Sequence, residues 1–574
     1  MGRCKTLESR QALRGDAAGA GDTSETRANG AAAGQTELQA DGGSCDAAAG
    51  QAESSAVWKG VALMGAAVIV SKVIGTLQKI PLQNIAGDRV FGIYNAVYPF
   101  YQLFLVLATA GFPVAVSLLV AERIAGNDRD GARHVLGAST LLLAVTGAAG
   151  FVLMWSTAEL TAGWIGDAAA APAIRMSSLA LWSMPVVAAL RGYYQGLGRM
   201  LPTAASQLLE QTVRVAAMLA LLAIGWRLGW TDAGLAAGAA AGSAVGGLAA
   251  LAVMAGIWRR DRRMDRQVRS GTAITLLRQV RRLAVLAFPV AMGALVVPVL
   301  GVVDAFTVPR LLHDFGYGEA EAMAQYGVYS RGQPIVQLVV MVAGAIGAAL
   351  VPALVAARAR GEEAGTRLHA SSAMRAAWWI GAAAAAGIAL LAGPMNMMLY
   401  ADNSGTLTFA LIGCTALAGT VNAIAAAVLQ GLGAVRAPAL FMLAAAALKA
   451  ALNAALVPAL GIAGAACAGI AALTAAALLA AGAVRRACGA AMPARSAAGL
   501  GLALAVMAAA LVLAERGFAP LLGEALPPRA AAAALALGGT ALGAALFIAA
   551  GLRLSASRRA SCARCRAAQR WPPA

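Results

Sequence analysis

Residues 92–103 read GIYNAVYPFYQL, and residues 327–338 read GVYSRGQPIVQL. Gly92 matches Gly327, Tyr94 matches Tyr329, Pro99 matches Pro334 and Gln102 matches Gln337, each pair 235 residues apart. The same offset relates the QGLG of residues 195–198 to the QGLG of residues 430–433, and Arg214 to Lys449. Three separated segments sharing one offset indicate an internal duplication of the kind that builds many transporters.

The chain around this repeat is apolar: of 574 residues, 60% are hydrophobic and 13% charged, with a mean hydropathy of +0.71. Such a composition needs lipid as solvent, and a spanning helix takes about 20 predominantly apolar residues. Fourteen stretches qualify, at 58–80, 91–121, 134–157, 173–196, 201–225, 233–257, 283–306, 326–356, 371–392, 406–432, 438–458, 461–484, 497–514 and 530–551. The alternating ten-residue pattern of a transmembrane β-barrel is absent. The expected fold is therefore an all-α polytopic bundle of about 14 transmembrane helices.

Residues 1–56 carry almost no bulky apolar side chain and read as a disordered cytoplasmic tail. They lack the pattern of a signal peptide, so the first span is expected to serve as the insertion signal. Cytoplasmic loops carry an excess of Lys and Arg. With the N-terminus inside, the inner loops and the segment after Leu552 hold 26 arginines, nine of them between Arg259 and Arg282, and the outer loops hold five. Both termini are thus expected in the cytoplasm, with the protein multi-pass in the membrane. The net charge of +18 follows from topology, and no nucleic-acid partner is inferred.

The duplication divides the chain into an N-lobe (57–258, spans 1–6), a basic cytoplasmic linker (259–282) and a C-lobe (283–486, spans 7–12). Spans 13 and 14 (487–552) fall outside the repeat, and a basic cytoplasmic tail (553–574) follows. Six spans per half leave both halves in one orientation, related by an axis along the membrane normal, with cargo expected at their interface.

Ionisable groups near the middle of a span cost about 2.5–3.5 kcal/mol each, so they are expected to face the bundle interior. Six cations qualify: Lys72, Lys79, Arg191, Arg214, Arg331 and Lys449. Lys72, Arg214 and Lys449 fall near mid-bilayer, from both halves. Two acids stand against them, Glu210 and Asp304, and the surplus of positive charge predicts an anionic ligand. A competing reading pairs Glu210 with Arg214 four residues on and lets Lys79, Arg191 and Arg331 snorkel to headgroups. Gln102, Gln207, Gln211, Gln337 and Asn453 either bond sugar hydroxyls or pack between helices. Glu210 and Asp304 are also the candidates to carry a coupling ion.

No catalytic domain or nucleotide-binding loop is visible, and the three histidines lack partners at metal-ligand spacing. Cys562 and Cys565 form a single C-x-x-C where a zinc site needs a second pair. No enzyme activity, catalytic residue, metal or cofactor is expected, beyond coupling to a cation gradient or to the membrane potential.

SKVIGTLQKIPL (71–82), the stretch from GIYNAVYPFYQL through LLVAE (92–122) and RGYYQGLGRMLPTAASQLLEQTVRV (191–215) carry a likeness over about residues 57–552. They resemble the polysaccharide transporter branch of the multidrug, oligosaccharidyl-lipid and polysaccharide (MOP) exporter superfamily, and within it the group of stage V sporulation protein B and the Gram-positive lipid II flippases. The resemblance implies two six-helix lobes around a cationic cavity, alternating access, and transfer of an undecaprenyl-pyrophosphate-linked saccharide to the outer leaflet. That cargo is expected to be lipid II or a related precursor of cell-wall or polysaccharide synthesis. It also implies that spans 13 and 14 make a groove for the lipid tail. On this reading the diphosphate meets Lys72, Arg214 and Lys449. Two alternatives stand beside it: a multidrug or cation antiporter of the same superfamily, and a non-transporting scaffold that recruits cell-wall enzymes.

Overall fold

A computed structural model describes residue 60 and residues 63–264, 273–489 and 494–568. The 1–56 tail lies outside the described residues, and the account below concerns Leu63–Ala574. No strand occurs among the described residues.

The first half contains α1 (63–77), α2 (Lys79–Thr109), α3 (Phe112–Ala125), α4 (Arg129–Ser156), α5 (Ala158–Ile165), α6 (Ala170–Ser178), α7 (Ala180–Gly196), α8 (Met200–Arg227) and α9 (Asp232–Met264). The second contains α10 (Ala273–Ala294), α11 (Val296–Asp314), α12 (Glu319–Ser330), α13 (Gln333–Ala359), α14 (Glu363–Leu390), α15 (Ala392–Tyr400), α16 (Thr406–Gly431), α17 (Arg436–Leu460) and α18 (Ile462–Cys488). The added pair is α19 (Ala494–Ala525) and α20 (Pro528–Ala568).

Twelve helical stretches among the described residues are long and apolar enough to cross a bilayer. One of them, Leu63–Ala125, has 63 residues, about 95 Å at 1.5 Å per residue, roughly three hydrocarbon thicknesses. It doubles back at Gly87, whose φ of 79° suits glycine. Gln78 Nε2 donates to Tyr94 Oη (3.3 Å) and Lys79 Nζ to Asn95 Oδ1 (2.8 Å) across the resulting hairpin. This stretch is therefore two spans. Together α10 and α11 make one more, which brings the crossings to fourteen.

Several crossings are broken, in spans whose sequence carries Pro and Gly. Span 2 breaks at Gly111, span 7 at Leu295 and span 8 at Arg331 and Gly332. At Gly111 a methyl group would overlap the Ala287 carbonyl of α10. The last helix continues to Ala568 instead of ending near 551. The repeated QGLG has a conformational reason: Gly198 and Gly433 both adopt positive φ (71° and 79°) where α7 and α16 turn into the next crossing.

Packing differs between the two ends of the bundle. Near Gly87 one core contains side chains of both halves, including Phe91, Tyr94 and Ile174 with Leu312, Tyr326 and Ala465. Toward the arginine-rich loops the cores separate. One is formed by α3, α4, α7 and α9 with Leu283 and Ala287 of α10, the other by α13, α14, α16 and α18. The halves are thus joined at one end and largely divided at the other, apart from α10, which leans on the first half. Trp379 of α14 packs on Phe547 of α20 at 5.4 Å between ring centroids.

Candidate functional site

Glu210 lies about 15 Å along α8 from its first residue at 1.5 Å per residue. Each of its oxygens holds one arginine. Arg191 Nη2 of α7 donates to Oε2 and Arg214 Nη2 to Oε1, both at 2.9 Å. Arg191 Nε also donates to Ser206 Oγ at 2.9 Å. The expected pairing of Glu210 with Arg214 is therefore present, and Arg191 joins it instead of snorkelling. Two guanidiniums share one carboxylate in a buried site, and the cluster keeps a net positive charge.

Helix α2 lays an aromatic ladder beside this cluster. Tyr94 and Tyr98 stack at 5.8 Å, and Tyr98 meets Tyr101 at 6.2 Å. Arg214 lies close to all three. Gln102 Nε2 donates to Tyr98 Oη at 2.6 Å. Gln211 is buried against α1, where a methyl group on Gly75 would stand 2.8 Å from its Nε2. Gln207 is half-buried.

Lys79 is also buried. Its contacts are the Asn95 amide and the face of Tyr98, 5.8 Å from the ring centroid. Among the described residues it has no carboxylate partner. Lys72 shares its helical face with Thr76 and Lys79, at steps of four and three, but is exposed and forms no ion pair among the described residues.

In the second half the cation is neutralised. Lys449 Nζ donates to Asp304 Oδ2 at 2.6 Å. Tyr329 Oη donates to the same oxygen at 2.9 Å, and Asn453 Nδ2 to Oδ1 at 3.3 Å and to Thr307 Oγ1 at 2.8 Å. Repeat-matched cations therefore sit beside repeat-matched tyrosines, Arg214 by Tyr94 and Lys449 by Tyr329. The acid comes from a different helix in each half: from the cation's own helix at Glu210, and from α11 at Asp304. Gln337 is exposed on α13.

Arg331 belongs to a different structure. It is fully buried and does not snorkel. Its Nη2 donates to Asp88 Oδ1 and Oδ2 at 2.8 and 2.6 Å, its Nε to Asp88 Oδ1 at 3.0 Å, and its Nη1 to Asp402 Oδ1 at 2.6 Å. Tyr400 Oη donates to its backbone carbonyl at 2.8 Å. The count of six cations against two acids is corrected here: Asp88, which sequence reading left in an inter-span turn, and Asp402 take up Arg331. Asp88 is in the first half and Arg331 in the second, so the pair ties the halves together at their joined end. Ala168 N to Glu319 Oε1 and Asn84 Nδ2 to Leu399 O, both 2.7 Å, reinforce the tie.

No group of three or more His, Cys, Asp or Glu able to hold a metal occurs among the described residues. Between α19 and α20 lies an apolar cavity of about 260 Å³, whose lining includes Leu511, Phe518, Leu522 and Leu542.

Residues 57–358 match the family described as "Polysaccharide biosynthesis protein". The chain belongs to that family. Among its relatives, the chain is 32% identical to the uncharacterized membrane protein YabM of Bacillus subtilis (strain 168), over 72% of this chain and 77% of that one. It is 24% identical to the lipid II flippase MurJ of the same organism, over 61% and 67%. In fold it is similar to a solved structure of the lipid II flippase MurJ in an inward closed conformation, with a TM-score of 0.64, 13% identity, and coverage of 85% and 98%. The fold is also similar to that of a multidrug resistance MATE family transporter of the MOP superfamily in an inward-facing conformation, with a TM-score of 0.61, 17% identity, and coverage of 73% and 95%. This member of the polysaccharide biosynthesis family is thus a multi-pass membrane protein.

Proposed function

We propose that the protein is a flippase that moves an undecaprenyl-pyrophosphate-linked saccharide, lipid II or a related cell-wall precursor, from the inner to the outer leaflet. The observation that carries this reading is the buried cationic excess of the first half. Arg191 and Arg214 share one carboxylate, and Lys79 has only neutral partners. Charge is expensive at this depth, and an anionic group that enters between the halves lowers its cost. A diphosphate is such a group, and the relative named a lipid II flippase supports that choice.

The arginine bias of the loops supports a cytoplasmic position for both termini in a bacterial plasma membrane. The common core and the Asp88–Arg331 tie then lie at the outer face, and the divided end opens to the inner leaflet. Alternating access requires the outer tie to break as the divided end closes. The apolar cavity between α19 and α20 has the lining that a prenyl chain needs. Asp304 already accepts from Lys449, Tyr329 and Asn453, so ion coupling through it would require Lys449 to withdraw.

The test is translocation of fluorescent lipid II in proteoliposomes, comparing the wild type with Lys72→Ala and Arg214→Ala. A loss of tenfold or more is expected in each; unaltered flipping in both removes the cationic passage from consideration.

A further inference from the structure

A second site lies on the first half alone. Helices α4 and α9 both pack against α7 but make few contacts with each other, and the space between them is a groove of about 1230 Å³. Its floor is Val186, Leu190 and Tyr193 of α7 with Leu197 at its C-cap, at steps of four, three and four, which is one face of a helix. Stripes of similar spacing from α4 and α9 make the walls. Gly137 and Leu141 on one wall are exposed, so the groove is open along its length.

The charges of this groove gather at one end. Arg129 and Arg133 open α4, Arg199 follows α7, and Arg262 closes α9. The guanidinium of Arg262 covers the Trp258 ring, 5.2 Å from its centroid. Two carboxylates stand at the same end: Asp261, which lines it and pairs with Arg199, and Asp130, which pairs with Arg133 at 3.3 Å and is itself half exposed, so four arginines face two acids. The remaining lining is largely apolar, from Leu136 and Leu141 to Leu251 and Ala255. A long apolar trough ending in guanidiniums and a tryptophan is complementary to an amphiphile with an anionic head at the membrane surface.

We infer that this groove holds a resident anionic phospholipid, its phosphate at the arginines and its acyl chains along α7. None of the lining residues comes from α1, α8 or the second half, so the occupant is distinct from the cargo. Assigning it to the inner leaflet rests on the orientation proposed above; binding itself does not. Floor and passage share α7: Leu190 lines the groove, and its neighbour Arg191 reaches Glu210.

The experiment is native mass spectrometry of the full chain extracted from vesicles of equal phosphatidylglycerol and phosphatidylcholine. Retained phosphatidylglycerol should exceed phosphatidylcholine at least fivefold. The variant carrying Arg133→Gln and Arg262→Gln should lose that preference, and Gly137→Trp, which fills the trough while leaving the arginines, should lower retention of both lipids. Arg310→Gln, distant in the second half, should behave as wild type, and unchanged size-exclusion profiles should show that each variant folds. Equal retention of the two lipids by the wild type overturns the proposal, as does an undiminished preference in the double variant. Displacement of the lipid by millimolar glycerol phosphate would make this a headgroup site without a chain trough and overturns it too. When undecaprenyl diphosphate is added to the same vesicles, its retention in place of phosphatidylglycerol overturns the proposal by making the groove part of the cargo path. Because no transport is measured, failure here leaves the flippase reading to its own test.

Discussion

Gly92 and Gly327 lie backbone against backbone. A methyl group on Gly92 would overlap the Met323 carbonyl, and one on Gly327 would overlap the Asp88 carbonyl. Each glycine thus meets the carbonyl four residues before its own repeat mate, so α2 and α12 cross about a local twofold axis at the glycine pair. Sequence duplication and contact geometry are two aspects of one symmetry here. The obstructing atoms are backbone, which cannot rotate aside. Gly92→Ala and Gly327→Ala should each destabilise the protein by about 1–3 kcal/mol through overpacking. The double variant should cost less than the sum, because either methyl already forces the helices apart. Thermal unfolding of the purified variants measures both effects, and additive losses would contradict the shared crossing.

The tie between Asp88 and Arg331 should behave asymmetrically toward its two acids. Asp88→Asn removes the bidentate partner of a fully buried guanidinium and should cost about 3 kcal/mol. Asp402, whose side chain is 42% exposed, should cost at most about 1 kcal/mol when changed to Asn. Burial pushes the Asp402 carboxyl up, but hydrogen bonds from Arg331 and the Ser404 backbone prevail and leave it below its ordinary value. A depressed carboxylate stabilises the fold above its unfolded pKa and loses that contribution as pH falls through the folded value. Melting temperature should therefore be flat from about pH 5 to 8, with the Asp402 share lost only in stronger acid. If the tie is the outer gate, Asp88→Asn should also increase labelling by a membrane-impermeant maleimide of a cysteine placed at Ser330, which is buried beside Arg331 and close to cysteine in volume.

What the sequence disclosed depended on distance along the chain. Spans are local runs of apolar residues, so their number was legible, and Glu210 with Arg214 was legible as a pair one helical turn apart. Arg191 reaches the same carboxylate from 19 residues away, Lys449 reaches Asp304 from 145, and Arg331 reaches Asp88 from 243. No local pattern announces such partners, and the surplus of cations was therefore overstated. The repeat correctly paired Arg214 with Lys449 and Tyr94 with Tyr329, yet the neutralising acid entered from unrelated positions because Glu210 has no acidic counterpart at the 235-residue offset. The breaks at Gly111 and Leu295 lie in runs that stay apolar on both sides, and only a nearby Pro or Gly marks them, whereas the break at Arg331 coincides with the polar run SRGQP of residues 330–334.

Lys449 and Asp304 form a buried pair whose members should be worth less together than their single losses suggest. Removing either one leaves the other charged and buried, at a cost of about 3–5 kcal/mol, whereas replacing both by apolar residues of similar volume should be close to neutral. Lys449→Met and Asp304→Leu should therefore each lower the melting temperature markedly, and the double variant should recover most of the loss. Lipid II flipping in the recovered double variant then reads the functional part alone: activity near wild type makes the pair structural, and inactivity despite restored stability gives it a part in transport.

Lys79 separates stability from transport in the opposite direction. Its ammonium is buried and held by the Asn95 amide and the Tyr98 ring, contacts that only partly offset the loss of hydration. A residue retained for folding would be expected to have an acid beside it. Lys79→Met keeps the side chain's length and removes the charge, so it should leave the melting temperature unchanged or raise it by a few degrees. If the charge is there for an anionic cargo, the same substitution should reduce lipid II translocation at least tenfold, and Lys79→Arg should restore part of it because a cation returns to the site. Loss of stability with unchanged flipping would make Lys79 a helix-packing residue and confine the cationic surplus to Arg191 and Arg214. A variant more stable than the wild type yet inactive is the outcome that a purely structural role cannot produce.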